Sequence, residues 1–96
     1  MKRRKRFASV WDAIEDSAAE AASMKLRAEL AIKIVETARE RKLTQAKIAA
    51  LAGVTQPRVS DLMRGRLDLF SLDALVDIAD RLGLRTRVIV SPKRAA

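Results

Sequence analysis

The residue types that carry most enzymatic chemistry are scarce in this 96-residue chain, which has no His and no Cys. Imidazole catalysis, thiolate chemistry and cysteine-based zinc sites are therefore excluded. The carboxylates lie on predicted solvated helix faces, without a paired nucleophile or a phosphate-binding glycine loop. We therefore expect neither an enzyme, a metal site nor a cofactor. The side chains suited to recognition by hydrogen bonding concentrate instead between Gln45 and Arg64.

Two short helices are predicted to position these side chains. Thr44 can cap a helix that ends near Ala52, and Gly53 follows where a left-handed residue closes that helix. Thr55 can cap the next helix, which ends at Gly65. The spacing leaves a connection of only a few residues between the two helices.

The packing pattern of these helices predicts a helix-turn-helix. A steep crossing requires a small residue at the closest approach, and Ala49 occupies that position. Val59 and Leu62 supply the apolar face of the second helix. The opposite face is polar, and the side chains that can project from it are those of Gln56, Arg58, Ser60 and Asp61.

Further elements flank the motif. A capping box in residues 17–20 predicts a long first helix that ends at about Arg41. Ser71 can cap a later helix, which Gly83 stops. Residues 86–90 are short and rich in β-branched side chains, so they predict a strand.

The predicted fold class is therefore all-α, a compact helical bundle with a short C-terminal β-strand. Residues 1–16 form a basic arm followed by an acidic and aromatic segment, residues 17–84 the helical domain, and residues 85–96 the strand and tail. A lone strand needs a backbone partner. That partner is either a strand near Phe7 to Trp11 or the same strand of a second subunit.

Charge is unevenly distributed along the chain. The formal net charge is +8, from 20 basic and 12 acidic residues, and a basic small domain attracts polyanions such as nucleic acid. The first six residues carry five of the basic side chains, whereas the charged side chains of residues 8–23 are all acidic. No apolar run approaches the roughly 20 residues of a membrane helix. We expect a cytoplasmic protein with no membrane partner.

Residues 45–64 resemble the helix-turn-helix of lambda-repressor-like (XRE-type) regulators. The resemblance covers these 20 residues without a gap, and it is carried in register by Ala49, Gly53, Val54, Val59 and Leu62. It implies binding of double-stranded DNA, with the second helix in the major groove. A purely structural helical hairpin is the alternative, but such a hairpin does not require polar residues at the exposed start of its second helix.

The resemblance also implies base-reading roles. Thr55 and Gln56 match positions at the start of the recognition helix, where a glutamine amide can form paired hydrogen bonds with adenine. Arg58 could bond guanine or a phosphate. Ser60 and Asp61 lie nearer the helix middle, where Asp61 could accept a hydrogen bond from cytosine.

Phosphate contacts are implied at both ends of the motif. Gln45 matches the family's phosphate-binding glutamine, and a helix start suits an anion. Lys47, Arg64 and Arg66 are the further phosphate-binding candidates. Lys47 stands where relatives often have glutamate, and Pro57 occupies a position that is often a second base-reading residue. Because of Pro57, fewer side chains are expected to contact bases directly.

The layout of residues 7–90 further resembles HigA-type antitoxins. The resemblance is carried by an acidic N-terminal segment with one Trp, the run from Gln56 to Ser60, the Arg64-Gly65-Arg66 exit and the valine-rich end. It implies inhibition of a RelE-like toxin that cleaves mRNA, and repression of the chain's own operon by a dimer.

The toxin-binding candidates lie near the N-terminus. They are Phe7, Trp11, Asp12, Ile14 and Glu15. Aromatic anchors dominate many interfaces, and acidic residues complement a basic RNA-cleaving partner. Equally, Trp11 could cover this protein's own core. The arm in residues 1–6 could follow a phosphate backbone or serve as a solubilising tail.

A homodimer is predicted because two recognition helices on adjacent major-groove faces require a two-fold partner and a palindromic operator. Val88, Ile89 and Val90 are the dimerisation candidates. Two alternative functions remain, a free-standing regulator without a toxin and a protein-interaction module that has lost DNA readout. Pro57 and Asp61 favour the second alternative.

Overall fold

The computed structural model describes residues 10–93, and for residues 10–16 it describes the backbone only. Four α-helices follow one another along the chain, with one short 3₁₀ turn before the last. The five elements are α1 (Val10–Glu40), α2 (Gln45–Ala52), α3 (Gln56–Met63), η1 (Leu67–Leu69) and α4 (Leu72–Arg81). The described part of the chain contains no strand, so the predicted all-α bundle is confirmed and the predicted C-terminal strand is wrong.

The C-terminal segment fails to form a strand because it has no backbone partner within residues 10–93. Residues 84–93 carry no regular secondary structure. Val88, Ile89 and Val90 are 66%, 80% and 88% exposed. One of the two predicted partners, a strand near Phe7 to Trp11, is contradicted at Val10 and Trp11, which are helical, and its first residues lie outside the described part of the chain. A β-branched composition favours a strand only where a neighbouring strand supplies the hydrogen bonds.

Helix α1 begins earlier than the sequence pattern predicts. The capping box at residues 17–20 lies inside the helix, which starts at Val10 and ends at Glu40, close to the predicted end. Residues 10–16 contain neither Gly nor Pro, so nothing in the backbone stops the helix at Ser17. The predicted boundary between residues 16 and 17 therefore falls within one continuous helix.

The predicted starts of the next three helices are confirmed in detail. Thr44, Thr55 and Ser71 have extended backbones and cap α2, α3 and α4. Each hydroxyl oxygen accepts a hydrogen bond from the amide three residues later, at 3.1, 3.3 and 3.0 Å. These caps satisfy amides that a helix cannot pair internally, which is why such short helices begin where they do.

The core joins the carboxyl-terminal half of α1 to the three shorter helices. Its largest fully buried side chains are those of Ile34, Ile48, Val59, Phe70 and Leu75. Among the described side chains of α1, residues 17–40, the first buried one is that of Ala31, and the helix packs on α4 and η1. None of the helices within residues 10–93 combines the length and apolarity that a bilayer crossing requires.

The turn between α2 and α3 requires a glycine. Gly53 has φ +71°, in the left-handed region, and the carbonyl of Ala49 accepts hydrogen bonds from the amides of Gly53 and Val54 at 2.9 and 3.1 Å. A Cβ atom at position 53 would also lie 3.1 Å from an Nη atom of Arg81. The predicted left-handed closure of α2 is therefore confirmed.

Replacing this glycine is expected to destabilise the fold. Gly53→Ala should lower the free energy of unfolding by about 1–2 kcal/mol, the cost of a left-handed alanine. Urea denaturation measures this difference. Gly65→Ala is the matched control, because Gly65 has φ +79° with open space around its Cα. We expect at least as large a loss at position 53 as at position 65, and a Gly53→Ala protein as stable as wild type would contradict the assignment.

Candidate nucleic-acid interface

Helices α2 and α3 form the predicted helix-turn-helix. Ala49 in α2 is 7% exposed and lies in a buried cluster with Ile48, Val59 of α3 and Ala38 of α1. Leu62 of α3 is 2% exposed and joins the larger cluster that contains α1 and α4. Ala49, Val59 and Leu62 therefore face inward as predicted, and their packing orients α3.

The start of α3 is exposed to solvent. Thr55, Gln56 and Pro57 are all exposed, while Ser60 and Asp61 are half-buried. Pro57 lies in the first turn, where its missing amide hydrogen costs the helix nothing. Gln56 is thus the long amide side chain at the exposed end of the helix, where it is free to form paired hydrogen bonds with a base edge.

Arg58 is oriented differently from the residues before it. One Nη atom donates a hydrogen bond to the carbonyl of Leu69 at 2.9 Å. Its guanidinium carbon lies 4.1 Å from the centroid of the Phe70 ring, which is a cation–π contact. The side chain that was predicted to read a base is therefore engaged with the η1 segment of its own chain.

Two ion pairs lie at the carboxyl-terminal end of the motif. Arg64 and Asp61 approach to 3.8 Å, and Arg66 and Asp68 to the same distance. The side chains of Arg64 and Arg66 are 68% and 54% exposed, so solvent screens both pairs. Such weak pairs leave both guanidinium groups available to an external anion.

The amino-terminal end of α2 carries a second set of polar groups. Gln45 is its first residue, and both Gln45 and Lys47 are exposed. Thr44 satisfies the amide of Lys47, and the first turn holds no acidic residue that would oppose an anion. Residues 41–66 contain six basic side chains and one acidic one, a net charge of +5. The motif is therefore electropositive at both ends.

The remaining predicted sites lie outside this motif. Phe7 is outside the described residues, and Trp11, Asp12, Ile14 and Glu15 lie in the first turns of α1, where only the backbone is described. Val88, Ile89 and Val90 are on the exposed C-terminal segment.

The sequence did not reveal two arginines that hold the bundle together. An Nη atom of Arg27 donates to the carbonyls of Phe70 and Leu67 at 3.0 and 3.4 Å. An Nη atom of Arg41 donates to the carbonyl of Leu82 at 2.6 Å, just after α4. Their partners are backbone atoms some 40 residues away, so no side-chain pattern could have indicated these contacts.

Comparison with known proteins supports this description of the motif. Residues 13–91 match a family described as "Helix-turn-helix domain". A solved structure titled "Putative XRE Family Transcriptional Regulator" is similar at 29% identity, with a TM-score of 0.73. The similarity covers 80% of this chain and 90% of that one. No protein with a curated description matches the chain.

Proposed function

The chain belongs to the helix-turn-helix domain family, and on that premise we propose that it is a sequence-specific DNA-binding repressor of transcription. The observation that carries the proposal is the exposed amino-terminal turn of α3. There Gln56 is solvent-facing at the end of a helix that the buried Val59 and Leu62 anchor to the core. A rigid helix with a free amide at its tip suits readout of an adenine edge in the major groove. The proposal assigns the protein no catalytic activity.

Charge supports the same proposal. The exposed side chains of Lys47, Arg64 and Arg66 lie at the two ends of the motif, as phosphate contacts on either side of a reading helix require. Gln45 adds an amide at the start of α2. In this arrangement the basic residues supply affinity and position, while Thr55, Gln56 and Ser60 supply discrimination among bases.

The test uses duplexes that the wild-type protein selects from a randomised pool, together with DNA from upstream of its own gene. Gln56→Ala should weaken binding to the selected duplex by about 1–3 kcal/mol, because one paired base contact is lost. The same variant should also discriminate less among the four bases at one base pair of the selected duplex. Lys47→Ala should weaken binding to all duplexes alike and reduce the salt slope by about 1.

Lys33→Ala is the matched control for Lys47→Ala. Lys33 is an exposed lysine of α1, 3.8 Å from Glu36 and outside the helix-turn-helix. We expect the control to leave both affinity and salt slope unchanged. Wild-type protein that selects no sequence, or a Gln56→Ala variant with an unaltered base preference, would refute the proposal.

We further propose that the protein binds a palindromic operator as a homodimer, through its C-terminal segment. Val88, Ile89 and Val90 form a run of exposed β-branched side chains, and a segment of this composition can pair with the same segment of a second copy. Two-fold pairing would present two recognition helices to adjacent major-groove faces.

Sedimentation of the free protein tests this dimer. Ile89→Asp should shift the protein to monomer, because a charge would be buried at the centre of the interface. Ile32→Asp is the matched control, since Ile32 is also an exposed isoleucine, 57% exposed, on α1. A wild-type monomer, or equal behaviour of the two variants, would argue against the C-terminal interface.

The finer proposal is that the protein is the antitoxin of a RelE-like mRNA-cleaving toxin. It is supported by the amino-terminal half of α1, whose described part projects from the bundle. From residue 17 to residue 26 every side chain except that of Ser23 is exposed, and Met24 and Leu26 are apolar. The acidic residues of this half of the helix complement a basic partner.

Co-expression with the product of an adjacent small basic gene tests the antitoxin proposal. The two proteins should co-purify, and Trp11→Ala should weaken the complex while leaving DNA selection intact. Gln56→Ala serves as the reciprocal control, because it should affect DNA selection and spare the complex. The absence of any such partner would favour a free-standing regulator instead.

A further inference from the structure

We infer that Arg58 is a positioning residue for DNA readout and does not itself read a base. In this inference, which rests on the proposed DNA-binding function, Arg58 fastens the first turn of α3 to the η1 segment. Arg27 of α1 also donates hydrogen bonds to this segment. Base discrimination then belongs to Thr55, Gln56 and Ser60, with their orientation set by two guanidinium groups that touch no DNA.

The contacts of Arg58 occupy one Nη atom and one face of its guanidinium group. Its edge donates to the carbonyl of Leu69 at 2.9 Å, and its face lies 4.1 Å from the ring centroid of Phe70. Phe70 is 2% exposed, so the guanidinium group helps to cover a core side chain. Paired hydrogen bonds to guanine that use this Nη atom require the loss of its bond to Leu69, and a guanidinium stacked on Phe70 has less freedom to turn its other edge toward a base.

Helix geometry explains why Arg58 turns away from the reading side. Residues four apart lie on the same face of an α-helix. Arg58 precedes Leu62 by four positions and Val59 by one, and both of these residues are 2% exposed. Arg58 is itself half-buried, whereas Gln56 and Pro57 are exposed. The side chain therefore lies at the edge of the packing face.

Arg27 and Arg58 together form a clamp on the segment around η1, residues 67–70. Arg27 donates to the carbonyls of Phe70 and Leu67 at 3.0 and 3.4 Å, from a half-buried position on α1. Together the two arginines bond three carbonyls of the segment that connects α3 to α4. The Nε atom of Arg27 is buried without a hydrogen-bond partner among the described residues. The two carbonyls are thus what hold this guanidinium group in place.

The clamp has a consequence for recognition. Helix α3 has only eight residues, and its amino-terminal turn carries the exposed Gln56. A shift of about 1 Å at this turn is enough to spoil a paired hydrogen bond with a base edge, because such bonds need donor–acceptor distances near 2.9 Å. Removing either arginine should therefore lower the discrimination among base pairs by Gln56, although Arg27 lies on a different helix.

The experiment compares base preferences on the selected duplex, each base pair being changed in turn. The proteins are wild type, Arg58→Ala, Arg58→Lys, Arg27→Ala and Gln56→Ala, each first shown to be folded by circular dichroism. We expect Arg58→Ala and Arg27→Ala to give the same profile, with several-fold lower discrimination at the base pair that Gln56→Ala identifies. Arg58→Lys should resemble Arg58→Ala, because lysine keeps the charge but lacks the planar fork.

Three results would overturn the inference. If Arg58→Ala relaxes preference by about 5- to 150-fold at one base pair of its own, Arg58 reads that base. If Arg58→Lys restores wild-type binding, the arginine contacts a phosphate. If Arg27→Ala leaves the profile unchanged, the clamp does not orient α3. If wild-type protein shows no sequence preference, the proposed function is refuted as well. That outcome differs from the three above, in which wild-type protein keeps its preference.

A measurement on wild-type protein avoids variants that fail to fold. The Phe70 ring should shift the NMR signals of the Arg58 side-chain protons upfield in the free protein. We expect this shift to persist when the selected duplex is bound. Its disappearance on binding would mean that Arg58 leaves the ring to contact DNA, which would also overturn the inference.

Discussion

The tight turn between α2 and α3 is the constraint on which the rest of the structure depends. Gly53 reverses the chain in a left-handed conformation, and the carbonyl of Ala49 accepts the two amides that follow the helix. Each helix has only eight residues, too short to be stable alone. The turn brings the small Ala49 into one cluster with Val59, and this contact sets which face of α3 remains free for recognition.

The positive charges of the chain divide into two kinds. Arg27, Arg41 and Arg58 direct their guanidinium groups at backbone carbonyls of the corners that join α3 to α4 and that follow α4. Lys47 and Arg64 remain exposed. Part of the net charge of +8 is therefore carried by guanidinium groups that also satisfy carbonyls that the short helices and turns leave unpaired.

The errors of the sequence-based predictions share a cause, which is that each outcome depends on residues outside the short pattern used for the prediction. A capping box at residues 17–20 is a favourable start, but it cannot stop a helix whose preceding residues are also helix-compatible. Residues 86–90 have strand composition, yet a strand exists only with a partner, and none lies within residues 10–93. The η1 turn went unpredicted because its order derives from Phe70 in the core and from distant arginines.

Local chemistry let the sequence by itself determine the helix-turn-helix. The caps at Thr44, Thr55 and Ser71 act across three residues, and the hydrogen bonds of the left-handed turn at Gly53 across four and five, so their patterns can be read directly from the chain. The tertiary structure alone decided which way Arg58 faces. Its partner carbonyl lies 11 residues away and its ring contact 12, positions that become neighbours only when α3, η1 and α4 pack together.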